Sequence, residues 1–95
     1  MLKATDSITT IAARFHDALD RMRAADPELS DEAHAALSDE VLSALRTLAT
    51  TPAATWPEHA AKLLAAGRGR EDAGSFAADA LLDTCFADAA RLVAA

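Results

Sequence analysis

Apolar residues recur along this chain at three- and four-residue steps, the spacing of one helical face. Ile8, Ile11, Phe15, Leu19 and Met22 trace the first stripe, with Ala18 and Ala25 completing it. The stripe predicts a helix from about Ser7 to Ala25, with Thr5, Asp6 and Ser7 offering acceptors for its free N–H groups. On the other side, Asp17 with Arg21 and Asp20 with Arg23 fall at ion-pair spacing, which marks a solvated face.

Asp26-Pro27-Glu28 interrupts this pattern, because proline lacks a donor and restrains the residue before it. A second helix is expected to start near Asp26 or Ser30 and to run to about Ala49. Its inward arc is Leu37, Val41, Ala44, Leu45 and Leu48, with Glu32, Asp39 and Arg46 opposite. So short a link predicts an antiparallel hairpin. Thr50-Thr51-Pro52 ends that helix. In Thr55-Trp56-Pro57-Glu58 the threonine can cap, the proline suits a first turn, and the glutamate can reach back. A short third helix follows, Trp56 to Ala66, with Trp56, Ala60, Leu63 and Leu64 inward and Gly67 as its C′ residue. Gly67-Arg68-Gly69-Arg70 reads as a flexible basic loop. The fourth helix is expected to begin between Asp72 and Ser75 and to run nearly to the end. Ala78, Leu81, Leu82, Cys85, Phe86, Ala89, Leu92 and Val93 make its wide apolar arc.

The expected fold is therefore all-α, a small helical bundle in one domain spanning residues 1–95. It combines an antiparallel hairpin of two long helices with a short third and a long fourth. Its expected core is Ile11, Phe15, Leu19, Met22, Leu37, Val41, Leu45, Leu48, Trp56, Leu63, Leu81, Leu82, Cys85, Phe86 and Leu92. Trp56 would be the largest single contributor.

Composition sharpens this picture. Of the 95 residues 26 are alanine, the best helix former, and only 23 are larger apolar residues. So few large side chains imply helices packed closely on alanine faces, or a core completed by a second chain; a homodimer is the preferred expectation. One cysteine excludes an internal disulfide, and no apolar run reaches the ~20 residues that span a bilayer. The start of the chain is not a secretory signal, and with the lone cysteine it suggests a reducing cytoplasm.

Candidate chemistry is sparse. Cys85 sits on an apolar arc and reads as a small buried hydrophobe, not a nucleophile. No local signature joins it to His16, His34 or His59, and Gly67-x-Gly69 lacks the rest of a phosphate-cradling loop. His16 and Asp20 could share an ion, but further ligands at matching spacing are missing. His16 and His59 are expected to be solvated, His34 partly buried. The chain is thus expected to be no enzyme, with no cofactor, no metal and no membrane partner, since its acidic helices do not suit lipid.

Charge is more informative. Fifteen acids against nine bases give −6. Residues 24–45 carry Asp26, Glu28, Asp31, Glu32, Asp39 and Glu40 without a base; residues 71–90 carry Glu71, Asp72, Asp79, Asp83 and Asp88, again without one. Placed on one side, such acids would attract a basic partner or occupy a nucleic-acid channel in place of phosphates. Spread out, they keep an alanine-rich surface soluble. The candidate partner-binding residues are Glu32, Asp39, Glu40, Asp72, Asp79 and Asp83.

Ala49-Thr50-Thr51-Pro52-Ala53-Ala54-Thr55, followed by Ala61-Lys62 and Leu64, resembles a pattern in short, alanine-rich, acidic helical proteins of GC-rich bacteria and their prophages. Those proteins join a helical hairpin to an A-T-P-A-x-T turn and a helix with A-K-x-x-x-L. Here Trp56-Pro57 replaces the usual aliphatic-glycine start, and the A-K spacing is approximate. The resemblance implies a mobile-element or accessory role and brings no functional residues. The expected function is a non-enzymatic protein that binds a protein partner. The alternatives are an inhibitor whose acidic faces block a basic nucleic-acid-binding complex, and a small dimeric DNA-associated regulator using Arg68 and Arg70.

Overall fold

The computed structural model describes residues 7–24, 30–73 and 76–94, without the side chains of residues 72, 73 and 76. Among them are four α-helices: α1 (Ile8–Arg23), α2 (Asp31–Thr50), α3 (Trp56–Arg68) and α4 (Phe76–Ala94), with a π turn (Gly69–Ala73) between the last two. The expected break at Asp26-Pro27-Glu28 lies outside the described residues.

Side-chain caps fix where the first three helices begin. Ser7 Oγ accepts from Thr10 N–H at 3.1 Å, Ser30 Oγ from Ala33 N–H at 3.0 Å, and Thr55 Oγ1 from Glu58 N–H at 3.3 Å. Pro57 falls in the first turn of α3, as expected. Glu58 reaches back one residue further than a capping box predicts, and its carboxylate accepts from Ala54 N–H at 2.7 Å.

The far end of α3 departs from expectation. Gly67 does not stop the helix; α3 continues to Arg68, and Gly69 follows in right-handed conformation, φ −62° and ψ −35°. Gly69 serves close packing: a Cβ there would lie 3.2 Å from Ala78 Cβ and 3.4 Å from Leu45 Cδ2. The expected basic loop is thus a continuous helical passage, with Arg68 inside α3 and Arg70 in the π turn.

The helices form two layers. In the first, α2 folds back along α1, so that Arg21 near the end of α1 shares a shallow depression with Ala33, Ala36, Leu37 and Glu40 of α2. The second layer is the α3–α4 hairpin. The layers meet through α1 against α3 and α2 against α4. The link from Thr51 to Thr55 therefore crosses the end of the bundle diagonally.

Phe15, Leu19, Leu45, Leu48, Leu81 and Cys85 form the buried centre with Ile8, Ile11 and Val41. Alanines let the layers approach closely; Ala12, Ala18, Ala44, Ala53, Ala65, Ala66 and Ala78 are buried. Met22, Leu37 and Leu82 pack at the edge of this core, and Leu92 is half-buried. Three expected core residues are not in it: Trp56 is 48% exposed, Leu63 43% and Phe86 67%. Ala60 and Leu64, also expected inward, are exposed. The inward side of α3 is instead Lys62, Ala65 and Ala66, so the helix is turned by roughly 150°, nearly half a revolution, from its apolar arc. On α4 the buried strip is Ala78, Leu81, Cys85 and Asp88, which leaves Phe86 and Val93 outside.

Truncating Phe15 to alanine should cost about 3–5 kcal/mol in denaturant unfolding, whereas Trp56→Ala should cost less than half as much. Equal losses for the two variants would place Trp56 in the core after all.

Candidate functional site

The reason for the turned α3 is a buried ion pair. Lys62 Nζ lies 2.5 Å from Asp88 Oδ2, and both side chains are almost wholly buried. Lys62 Nζ also donates to the Thr51 carbonyl at 2.9 Å. Arg91 donates to Asp88 Oδ1 at 3.1 Å and to the carbonyl of Ala53. One cluster thus joins α3, α4 and the start and middle of the crossing link. Burial alone would raise the Asp88 pKa. Hydrogen bonds from Lys62 and Arg91, the Lys62 charge and a backbone bond from Ala53 outweigh it and hold the carboxyl below its ordinary value.

A second clip ties α3 to α1. The Arg68 guanidinium donates to Asp20 Oδ1 and, at 3.1 Å, to His16 Nδ1. Asp20, expected to pair with Arg23, also reaches across to the other layer. The hydrogen bond from Arg68 lowers the Asp20 pKa; burial, and then the Arg68 charge, lower that of His16. His16 is half-buried, not solvated as expected. His59 is half-buried too, edge-on to Trp56 with ring centroids 5.4 Å apart, and its Nδ1 is buried without a partner. His34, expected partly buried, is exposed. Cys85 is buried as expected, and burial pushes its thiol pKa up, away from nucleophilic reactivity. Among the described residues no three His, Cys, Asp or Glu side chains gather into a metal-binding group, and no helix is long and apolar enough to cross a membrane.

Glu32, Asp39, Glu40, Asp79 and Asp83 are all exposed; the side chain of Asp72 lies outside the described residues. Asp79 pairs with Arg70 Nε at 3.3 Å. The acids of the two helices are not level with one another. Leu45 near the end of α2 and Ala78 in the first turn of α4 lie 3.4 and 3.2 Å from where a Gly69 Cβ would sit, so Glu32, Asp39 and Glu40, further back along α2, lie beyond the start of α4. Asp88, counted with the exposed acids from its place in the sequence, is buried.

The feature that sequence reasoning missed is the outer face of the second layer. Leu64 is 68% exposed and Val93 73%, alongside Trp56, Leu63 and Phe86; every exposed large apolar side chain described belongs to α3 or α4. The outer surface of α1 and α2 carries Arg14, Asp17, Arg21, Glu32, Asp39 and Arg46 instead. The molecule therefore has one charged broad face and one apolar broad face.

Compared with models of protein families, with curated proteins and with solved structures, the chain matches none.

Lys62→Met should destabilise the fold by about 3–5 kcal/mol, because it leaves Asp88 Oδ2 buried without its partner and the carboxylate with the Arg91 charge alone. The double variant Lys62→Met/Asp88→Leu should recover most of that loss, as measured by urea unfolding. Acid should weaken the fold in two stages. His16 has a lowered folded pKa, so stability begins to fall below the ordinary value of 6.5, where the unfolded chain takes up its proton first. Asp88, also lowered, contributes stability that is present above about pH 4 and is lost as pH drops through its folded value. Asp88→Asn should shrink the second stage to the share contributed by Asp20, whose pKa is also lowered, and leave the first, in unfolding curves recorded from pH 7 to 2.

Proposed function

We propose that the chain is a non-enzymatic interaction protein that binds a protein partner through the outer face of α3 and α4. The observation that carries this reading is the exposure of Trp56, Leu63, Leu64, Phe86 and Val93 on one layer, while α1 and α2 turn their leucines and isoleucines inward. Exposed apolar side chains gathered on one face favour association, because covering them removes apolar area from water.

A second reading keeps the acids as the contact. Glu32, Asp39, Glu40 and Asp83 are exposed and form no ion pair among the described residues, so their field is available to a basic partner, such as a nucleic-acid-binding complex that the chain would inhibit. The third, a DNA-associated regulator, has less support: Arg68 and Arg70 are engaged with Asp20 and Asp79, which reduces the positive charge left for phosphates.

The test is capture by the tagged chain from nuclease-treated lysate supplemented with its untagged form. Capture of a protein, the untagged chain included, that survives about 0.5 M salt and is lost with Phe86→Asp supports the apolar face. Capture lost at that salt or with Asp39→Asn/Glu40→Gln, but kept by Phe86→Asp, overturns it in favour of the acids.

A further inference from the structure

We propose that the occupant of the outer α3–α4 face is a second copy of this chain, related to the first by a two-fold axis lying in that face. The inference rests on the reading above and names its partner.

The first observation is spacing. On α3 the exposed stripe is Trp56, Ala60, Leu63 and Gly67; on α4 the stripe along the same layer is Leu82, Phe86, Ala89 and Val93. Both follow steps of four, three and four residues, the spacing of a helix–helix seam. That sequence of steps reads the same in either direction, so each stripe can pair with an antiparallel copy of itself.

The second observation is size. Antiparallel self-pairing of α3 sets Trp56 against the partner subunit's Gly67, and Leu63 against the partner subunit's Ala60. On α4 it sets Phe86 against the partner subunit's Ala89, and Leu82 against the partner subunit's Val93. In three of these pairs a large side chain meets a small one, the alternation that lets helices interdigitate.

The third observation is alignment. The α3 pairing has its centre between Ala61 and Lys62, the α4 pairing between Ala87 and Asp88. The Lys62–Asp88 ion pair, 2.5 Å long, keeps those two centres within the length of a lysine side chain of each other. A single axis running across both helices therefore generates both pairings at once, as an isologous dimer requires. Asp83 comes level with the partner subunit's Leu92 and Glu58 with the partner subunit's Ala65, so neither acid meets another across the axis.

Gly67 adds an independent sign. It lies inside α3, exposed, with no atom of the described residues within 4 Å of where its Cβ would be. Glycine within a helix costs about 1 kcal/mol relative to alanine, and nothing within the chain requires it there. An indole from a second copy, seated over Gly67, does require it.

The experiment is sedimentation of the purified chain from about 1 to 500 µM, with emission of Trp56, the sole tryptophan, read over the same range. The expected result is a monomer–dimer equilibrium, with emission moving to the blue as the dimer forms. Gly67→Leu should raise the helix stability of the monomer and weaken dimerisation about tenfold or more, since it fills the site of the incoming indole. Phe86→Asp should weaken dimerisation through the other stripe, and circular dichroism should show both variants folded. A chain that stays monomeric at 500 µM, or a dimer indifferent to both substitutions, overturns the proposal. In that event, capture of a different protein that is lost with Phe86→Asp leaves the interaction reading standing; no capture sensitive to Phe86→Asp removes both.

Discussion

A buried lysine must be given a carboxylate, and much of this fold follows from meeting that demand. Stranding either Lys62 or Asp88 away from water would cost several kcal/mol. The α3–α4 hairpin satisfies both by bringing them within 2.5 Å and adding the Thr51 carbonyl and Arg91 around them. The same contacts pin the link between the layers, where Ala53 is fully buried and its carbonyl accepts from Arg91. A purely apolar contact could slide by a turn; this one has a single register.

The pair also explains why the second layer wears its large apolar residues outside. With Lys62 turned inward, Trp56, Ala60, Leu63 and Leu64, each about 100° or more around the helix from it, turn outward. The inward positions that remain are alanines, which allow the layers to come close but add little apolar area each. Cohesion between layers rests on Phe15, Leu45, Leu48 and Leu81, with the Arg68 clip to Asp20 and His16 closing the opposite end.

How much of this was legible in the sequence differs by helix. In α1 and α2 the strongest apolar arc is the buried face, so Phe15, Leu19, Val41, Leu45 and Leu48 were placed correctly from periodicity alone. The caps at Ser7, Ser30 and Thr55 were legible because their chemistry is local. In α3 periodicity misled, since the buried face contains a charge whose partner lies 26 residues away. One sign of it was available: Asp88 falls at helical spacing between Leu81, Cys85 and Leu92, a position where an acid without a partner would not persist. The exposure of Glu32, Asp39, Glu40, Asp79 and Asp83 was legible as well. Their levels along the bundle were not, because these depend on how α2 meets Gly69 and Ala78.

The diagonal link has a consequence for the order in which the molecule is made. Synthesis completes α1 and α2 by residue 50, before either helix of the second layer exists. The link can be fastened only when Asp88 and Arg91 arrive, 26 residues after Lys62 and 38 after Ala53 respectively. Until then Leu45 and Leu48 await the layer that covers them, and Lys62, once made, stays hydrated for the 26 residues before Asp88 appears. The last two turns of α4 thus act as the latch for everything made before them.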